Sequence, residues 1–530
     1  MSQALPGPGE ALLDYQSDVD DTRQPFRLYV PARVRRRYPV VVCLHGFGGR
    51  MVDPPVEARR WADALGWVLL SPDGRGNQNW DGLGEEDVFA ALAATARLVT
   101  LDPERTYLYG GSMGGHGGLR LALRHPHRFA AVCAVAGWLS AEQFYPRWYA
   151  APGEWSPPAA IAPLVAAAAP TAWRDHAQFV AGRLAYGTAD GVNEPEDAEW
   201  FIAWLREAGL FGRDGWACAR VDRGGHGAGA SWRDAFAFLR GKRRRWPTCF
   251  RSPTLRHADL GWVRADRLVD PCASVACKLA WSTGFARFDT ENVAELVVTP
   301  AHGPRELGRR VRLIVNGQDA GELRRDEQAA LVLSSSPAPS AKRRGVDGPI
   351  GEFFRARFQV LAPAAGPARV AAERFCADWA AWLVPAGDAR LRPLPPSAAR
   401  ADANLMLFGD VDDNELVRRV AQWPAPLGAR PVAGGIGIGE QAFAGERLGW
   451  WVLQPVPWQP ARLMLLCRGY QHSNIPPDGP VGKDLEKLPW QWPDWVVWDD
   501  ARECRLSVQP PLRHLPDAWV AAGSFGPDWR

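Results

Sequence analysis

The chain has 530 residues, of which 47% are hydrophobic and 23% charged, an ordinary globular composition that excludes a disordered protein. Its 62 basic and 59 acidic side chains leave a net charge of +3, which is too balanced for nucleic acid or an anionic membrane as the main partner. The nine cysteines are scattered and form no C-x-x-C pair, which argues against a disulfide framework and a zinc site.

The N-terminus gives no sign of a targeting sequence. Residues 1–10 have neither a basic start nor an apolar core, and apolar runs such as residues 129–139 are too short to span a bilayer. We therefore expect a cytoplasmic protein without a membrane partner. A chain of this length is also expected to fold as several domains rather than around one core.

The first part of the chain alternates strand-like and helix-like segments. Apolar runs predict strands at residues 26–30, 39–44, 67–70, 105–109, 130–135, 179–186 and 217–221. Helical periodicity predicts helices at residues 85–99, 113–124, 197–208 and 231–240. This alternation predicts a mostly parallel sheet covered on both faces, an α/β domain over residues 1–246. Residues 139–173 interrupt the pattern and are interpreted as an insertion over the sheet edge.

The pattern changes twice after residue 246. Short alternating segments and an Asn-Gly turn at Asn316 predict a small β-sandwich over residues 247–345. Strand and helix alternation returns over residues 346–475 and predicts a second, smaller three-layer α/β unit of Rossmann-like type. Residues 476–530 are rich in Pro and Trp, and no fold is assigned to them.

The most informative motif is GGSMG at residues 110–114, a G-x-S-x-G sequence between a predicted strand and a predicted helix. In that context the serine sits on a sharp turn at the end of the sheet, where flanking glycines remove side chains that would collide. Ser112 is therefore the predicted nucleophile. The alternative, a chance match in a glycine-rich chain, does not explain the strand and helix on either side.

A serine that attacks a carbonyl carbon needs N–H donors for the oxyanion that forms. One donor is expected from the residue after the nucleophile, Met113, and the other from the loop after an earlier strand. That loop is HGFGG at residues 45–49. We choose the Phe47 amide as the second donor and keep Gly48 as the alternative.

The serine also needs a base, which in folds of this class follows an acid in the chain. His226 lies in a glycine-rich loop after a predicted strand and is the predicted base. Four other histidines follow Ser112 in this domain and are interpreted as structural or capping residues, or as placed too early: His116, His125, His127 and His176.

Asp190 is the predicted acid that orients His226. It follows the strand predicted at residues 179–186, so its carboxylate can reach an imidazole on the next loop. Asp175, Asp197 and Asp222 are the competing candidates. Together Ser112, His226 and Asp190 are expected to form one hydrogen-bonded relay, with no metal and no organic cofactor.

The first domain also resembles a known family. The shared sequences are HGFGG at 45–49, PDGRG at 72–76, GEEDV at 84–88, DPERTY at 102–107 and GGSMGG at 110–115. They resemble α/β-hydrolases of the prolyl-oligopeptidase-like and feruloyl-esterase-like branch, which is also polyhydroxybutyrate-depolymerase-like. The resemblance implies a serine hydrolase, and the layout with LFGD at 407–410 is similar to large bacterial hydrolases of that group.

Further hypotheses concern the substrate, the partners and the cover of the pocket. The expected substrate is a small aryl or acyl ester, and the alternative is a small peptide, because both reactions pass through an acyl enzyme. A second alternative makes the C-terminal half a carbohydrate-binding module whose tryptophans stack on sugars, against the view that they fill cores. The tryptophans concerned are at 450, 451, 458, 490, 492, 495 and 498.

The glycine-rich residues 434–439 do not form G-x-G-x-x-G, so no nucleotide is assigned there. Aromatic residues within 139–173 are expected to cover the pocket.

Overall fold

A computed structural model describes residues 7–140, 159, 162–212, 214–334, 341–384, 388, 390–424, 428–470, 493–499, 519–526 and 528–529. The first eight strands are β1 Gly9–Gln16, β2 Arg23–Val30, β3 Tyr38–Leu44, β4 Val68–Pro72, β5 Leu101–Gly111, β6 Ala131–Val135, β7 Ala181–Gly187 and β8 Trp216–Val221. The helices around them are α1 Val56–Leu65, α2 Leu83–Leu98, α3 Met113–Arg124, α4 Ala162–Ala168, α5 Pro195–Glu207 and α6 Trp232–Leu239, with a 3₁₀ helix at Pro170–Phe179.

These eight strands form one sheet in the order β1-β2-β4-β3-β5-β6-β7-β8. The strands from β4 to β8 in that order are parallel, while β1 and β2 run antiparallel at one edge. The predicted parallel sheet is therefore confirmed. Strand β1 was not predicted, because its residues are mostly half-exposed and form no buried apolar run.

The buried strands of this sheet are apolar along their whole length, as expected where helices cover both faces. Strands β4 and β6 have every residue buried, and β3 has all but its first. Helices α1 and α6 pack together over one face, where Trp67 and Tyr107 stack at 5.0 Å between ring centroids. The carboxyl ends of the parallel strands consequently meet at one edge, where the candidate site lies.

Two sheets follow in the middle of the chain. Their strands are β9 Cys249–Ser252, β10 Val263–Leu268, β11 Val275–Ser282, β12 Phe285–Glu291, β13 Val293–Val298, β14 Arg310–Val315, β15 Gln318–Arg324 and β16 Ala329–Val332. One sheet has the order β15-β14-β12-β11-β9 and the other β10-β13-β16. Side chains of both sheets, such as Phe288 and Leu296, share one buried cluster.

The last part of the described chain contains a mixed sheet. The elements are α7 Ile350–Phe353, β17 Phe358–Leu361, α8 Pro367–Leu383, β18 Asn404–Phe408, α9 Glu415–Ala421, β19 Ala429–Val432, β20 Gly435–Ile438, β21 Gln441–Ala444, β22 Leu448–Val456, β23 Gln459–Arg468, β24 Trp495–Asp499 and β25 Trp519–Gly523. The larger sheet has the order β17-β18-β23-β22-β24-β25, in which the first two neighbouring pairs are parallel and the last three antiparallel. The domain boundaries at 246, 345 and 475, and the β-sandwich and Rossmann-like types, stay predictions.

Two sequence hypotheses about this part can be compared with the structure. The glycine-rich residues 434–439 contain β20, which pairs antiparallel with β19 and β21. Trp450, Trp451 and Trp498 are at most 2% exposed and belong to the core, so they cannot stack on a sugar. Trp458 and Trp495 are partly buried against the same core, and the tryptophans at 490 and 492 lie outside the described residues.

Buried polar contacts join the first sheet region to the later parts of the chain. Glu85 on α2 contacts His257 of the middle region at 2.9 Å between Oε1 and Nε2. The Trp379 indole N–H on α8 donates to Asp20 at 2.8 Å. Among the helices of the described residues, none is long and apolar enough to cross a membrane.

Candidate active site

Ser112 occupies a strained turn between the end of β5 and the start of α3. Its backbone has φ 55° and ψ −122°, a conformation that residues with a side chain rarely adopt. Its N–H donates to the carbonyl of Val135 at 2.8 Å, and its carbonyl accepts from the His116 N–H at 3.0 Å. A serine on such a strand–turn–helix corner presents its hydroxyl at the edge of the sheet, as predicted for a nucleophile.

The glycines of the motif have separate steric roles. A Cβ added at Gly114 would lie 2.2 Å from the Leu44 carbonyl oxygen, and one added at Gly110 would lie 2.3 Å from the Gly114 carbonyl oxygen. A Cβ added at Gly111 would meet nothing closer than 4.0 Å. The first and last glycines of G-x-S-x-G are therefore required by close backbone approach, whereas the residue at 111 is not.

The loop at residues 45–49 lies directly beside the nucleophile. A Cβ added at Gly46 would lie 3.5 Å from the Cβ of Ser112. Within the loop, the Gly48 N–H donates to Asn77 Oδ1 at 2.8 Å and the Gly49 N–H to the Gly46 carbonyl at 3.0 Å. The Gly48 amide is thus already engaged, which favours Phe47 over Gly48 as an oxyanion donor. No hydrogen bond of the Phe47 N–H is found within the described part of the chain.

Met113 supplies the other predicted donor. It is the first residue of α3, and the first N–H groups of a helix have no carbonyl partner within the helix. Its side chain is buried, at 4% exposed, so the residue is held in place by packing. The helix dipole adds positive potential at this end, which suits a developing oxyanion.

Two side chains that the sequence analysis missed hold this loop. The His45 ring lies 2.8 Å from the Gly46 carbonyl through Nδ1 and 2.9 Å from the Asp73 carbonyl through Nε2. The Trp80 indole N–H donates to the His45 carbonyl at 3.2 Å, and a Cβ at Gly117 would clash with that indole. These contacts connect segments far apart in sequence, so no local pattern indicates them.

Asp190 and His226 are hydrogen-bonded. His226 Nδ1 lies 3.0 Å from Asp190 Oδ1 and 2.9 Å from Oδ2. The Val192 and Asn193 amides also donate to Oδ1, at 2.8 and 3.1 Å. Since an ionised carboxylate only accepts hydrogen bonds, we assign the ring proton to Nδ1, which leaves the Nε2 lone pair free. The Asp190 side chain is 2% exposed and the His226 side chain 29% exposed.

The three residues of the predicted relay follow three strands of the first sheet. Ser112 follows β5, Asp190 follows β7 and His226 follows β8, so all three lie at the carboxyl edge of the same sheet. Among the described residues the Asp190–His226 hydrogen bond is present and none joins the Ser112 hydroxyl to His226, so the continuous relay stays a prediction. Catalytic hydrogen bonds are often long or poorly aligned before substrate binds and tighten only in the complex with substrate.

The acid loop is tied to the strand that supports Ser112. The Asn193 side-chain amide donates to the Ala136 carbonyl at 2.6 Å, and the Ala136 N–H donates to the Ala185 carbonyl at 2.8 Å. Ala136 directly follows Val135, whose carbonyl accepts from Ser112. Asn193 is therefore a positioning residue that the sequence analysis missed, and only tertiary structure identifies it.

The competing histidines are occupied elsewhere. His116 stacks on Trp138 with ring centroids 3.5 Å apart, and burial, then the charge of Arg120, lowers the pKa of His116 well below its usual value. His176 contacts the Leu123 carbonyl at 2.6 Å, and His125 contacts Glu85 at 3.2 Å. Burial also lowers the pKa of His127. None of these side chains contacts Asp190 in the described structure.

The three competing acids have other contacts or positions in the structure. The Asp197 carboxylate accepts from the Leu139 and Ser140 amides at 2.6 and 3.0 Å, so it fixes the start of the predicted insertion. Asp222 is exposed and pairs with Arg220 at 2.5 Å. Asp175 lies in the 3₁₀ helix before β7. The hypothesis that aromatic residues within 139–173 cover the pocket concerns residues 141–158, 160 and 161, which lie outside the described residues.

One cluster has the residue types of a metal site. Glu85, His125 and His257 place their ligand atoms within 4.8 Å of one another. Arg124 pairs with Glu85 at 2.9 Å, and Arg256 and Arg355 lie within 4.0 Å of the same carboxylate. Because three guanidinium groups already neutralise the carboxylate, the cluster fits an ion-pair network better than a cation site.

Comparison with known proteins supports the fold. Residues 39–181 match the family described as alpha/beta hydrolase fold, a segment that contains Ser112 and the loop at 45–49 but not Asp190 or His226. No curated protein matches the sequence.

Several solved structures are similar over part of the chain. A fluorophosphonate-binding serine hydrolase, FphF of Staphylococcus aureus, is 15% identical, with a TM-score of 0.35 over 44% of this chain and 99% of that one. An S-formylglutathione hydrolase from Agrobacterium tumefaciens is 21% identical, with a TM-score of 0.32 over 43% of this chain and 91% of that one. An acylaminoacyl peptidase of Pyrococcus horikoshii is 16% identical, with a TM-score of 0.37 over 45% of this chain and 42% of that one. At these scores the likeness carries no argument about substrate.

The family match covers the segment in which Ser112 stands on its strained turn. The chain therefore contains an α/β-hydrolase fold over residues 39–181.

Proposed function

We propose that this protein is a serine hydrolase that cleaves a carboxylic ester through an acyl-enzyme intermediate, with Ser112 as nucleophile, His226 as general base and Asp190 as the acid that orients it. The observation that supports this proposal most is the Asp190–His226 hydrogen bond, at 2.9 Å, at the same sheet edge as the Ser112 turn. Neither residue is near Ser112 in the sequence, so their meeting at this edge is independent of the motif.

In the proposed mechanism the substrate carbonyl lies between Ser112 and the two amides of Phe47 and Met113. His226 Nε2 accepts the Ser112 proton as the oxygen attacks, and Asp190 stabilises the imidazolium that forms. The two N–H groups hold the oxyanion. His226 then protonates the departing alkoxide or phenoxide. Water, activated by the same imidazole, attacks the acyl enzyme and releases the acid.

An ester is proposed over a peptide because of the state of His226. An amide leaves only when it is protonated accurately, whereas an aryloxide leaves with little help. The His226 ring is 29% exposed and has no hydrogen bond to Ser112 in the described structure, so its contact with a leaving group is not fixed in advance. An ester, whose leaving group needs less help from the base, therefore makes the smaller demand on His226.

The test compares one aryl acetate with one peptide anilide, using wild type and Ser112→Ala at equal concentration. The proposal expects kcat/KM for the ester to exceed that for the anilide, and both activities to disappear in Ser112→Ala. A higher kcat/KM for the anilide would make the enzyme a peptidase with the same serine. Undiminished ester hydrolysis by Ser112→Ala would rule out Ser112 as the nucleophile.

A further inference from the structure

A cleft lies near the amino ends of the parallel strands, at the opposite end of the first sheet from Ser112. It has a volume of about 330 Å³ and is lined by five arginines, together with Leu65, Trp67, Tyr107 and Gly241. The arginines are Arg33, Arg35, Arg105, Arg240 and Arg243. Arg105 precedes Ser112 on β5 by seven positions, and at the rise of a strand this separates the cleft from the nucleophile by about 20 Å. Binding here therefore does not compete with substrate.

The cleft continues into a wider depression. Arg33, Arg35 and Arg105 line both, and the depression adds Arg36, Arg37 and Asp102. Seven arginines therefore surround the two connected spaces. The whole chain has a net charge of only +3, so this positive charge is a local feature rather than a property of the entire surface.

Few of these charges are neutralised. Arg105 pairs with Asp102 at 2.7 Å, and Arg243 pairs with Glu104. Arg33 and Arg35 instead donate to neutral carbonyls at the end of α1, those of Ala64 at 2.8 Å and Leu65 at 2.9 Å. These bonds orient the guanidinium groups without cancelling their charge.

Three more arginines have no ion pair within the described part of the chain: Arg36, Arg37 and Arg240, all of them exposed. Repulsion between these arginines also contributes to the pKa of Arg35. Partial burial, and after it the charges of Arg33 and Arg105, lowers the pKa of Arg35. An anion in the cleft would relieve that repulsion.

We propose that this cleft binds a small polyanion that carries at least two phosphoryl groups. Guanidinium groups match phosphate oxygens with two parallel hydrogen bonds, and several of them can share one polyphosphate. The apolar wall of Leu65 and Trp67 limits water on one side, which strengthens such contacts. A space of about 330 Å³ suits a compact anion rather than a nucleic-acid duplex.

The bound anion would also link two distant segments. Residues 33–37 precede β3, and residues 240–243 follow α6, the helix after the His226 loop. An anion held by both segments would stabilise the folded state, because it binds that state and not the unfolded chain. Thermal stability is therefore a readout that is independent of catalysis.

The experiment titrates tripolyphosphate into the full chain by calorimetry at physiological salt, with a parallel thermal melt. The test variant is Arg33→Gln/Arg240→Gln, at two exposed arginines that line the cleft. The matched control is Arg305→Gln/Arg374→Gln, which removes the same charge at two exposed arginines that line neither the cleft nor the depression and have no ion pair in the described structure.

Wild type is expected to bind saturably and to melt at a higher temperature with the anion. The test variant should lose about 10-fold or more in affinity, since two charge-assisted contacts are gone, while the control stays within about 2-fold. Ester hydrolysis should be the same in all three proteins. No saturable binding by wild type, or equal loss in both variants, would overturn the proposal. Binding of RNA or of phosphatidylserine vesicles without tripolyphosphate binding would overturn it as well.

Discussion

Asp190 and His226 extend from the ends of two neighbouring parallel strands, and the carboxylate holds the imidazole through both of its oxygens, at 3.0 and 2.9 Å. Two backbone amides hold the carboxylate in turn. The orientation of the ring is therefore set by backbone geometry at the carboxyl ends of the strands. The unprotonated Nε2 is the atom that we propose accepts the proton of Ser112.

Asp190→Asn tests this orientation. An amide in place of the carboxylate no longer stabilises the imidazolium and can select the wrong ring tautomer, so kcat for an aryl ester should fall by about 10³ to 10⁴ with little change in KM. Steady-state kinetics measures this. Asp222→Asn, at an exposed acid on the neighbouring loop, is the control and should retain full activity. A kcat for Asp190→Asn close to that of wild type would assign the acid elsewhere.

Phe47→Pro tests the oxyanion donor. Proline removes the N–H at that position, and loss of one such donor typically lowers kcat by about 10² to 10³. Phe47→Ala keeps the N–H and removes only a side chain that is 52% exposed, so it should stay much closer to wild type. If both variants lose activity equally, the side chain rather than the amide matters. Denaturant unfolding of both proteins separates this loss from misfolding.

The glycine motif gives a prediction about stability. Gly114→Ala and Gly110→Ala each place a methyl group within 2.3 Å of a backbone oxygen, so each should lower the free energy of unfolding by about 3 kcal/mol or more. In Gly111→Ala, one position before the serine, the added methyl group meets nothing closer than 4.0 Å and should cost less than about 1 kcal/mol. Urea denaturation of the three variants checks the order, and equal losses would contradict the packing argument.

His116 gives a prediction about pH. Its pKa is lowered by burial, so the unfolded chain takes up a proton near pH 6.5 that the folded chain does not. The unfolded state then binds more protons than the folded state. The contribution of His116 to the free energy of unfolding therefore falls as pH decreases below about 6.5, by at most about 1.4 kcal/mol per pH unit. His116→Asn retains a donor toward the Trp138 carbonyl and should show a shallower loss between pH 7 and 5. His302→Asn, at an exposed position, should match wild type. Identical slopes for all three proteins would show that His116 charges freely in the fold.

Much of the first sheet follows from the sequence, because buried parallel strands are continuous apolar runs. Helix α3 begins and ends at the predicted residues 113 and 124, since glycines, Ser112 and Pro126 mark its limits. Short or exposed strands such as β15 and β21 have no apolar run to identify them and were missed.

The candidate site could be predicted only as far as chain order allows. Ser112, Asp190 and His226 each follow a predicted strand of one parallel sheet, and that alone brings them to one edge. The bond from Gly48 to Asn77, the His45 contacts and the Asn193 link depend on side chains from separate segments, which no spacing indicates. The absent Ser112–His226 bond depends on the position of a glycine-rich loop, which sequence alone does not fix.

The most direct test of the central claim is covalent labelling. The full-length protein is treated with a fluorophosphonate, digested, and the modified residue is identified by mass spectrometry, with Ser112→Ala in parallel. We predict a single adduct on Ser112 in wild type, none in Ser112→Ala, and slower labelling in Asp190→Asn. An adduct on another serine, or labelling of Ser112→Ala at the wild-type rate, would contradict the account.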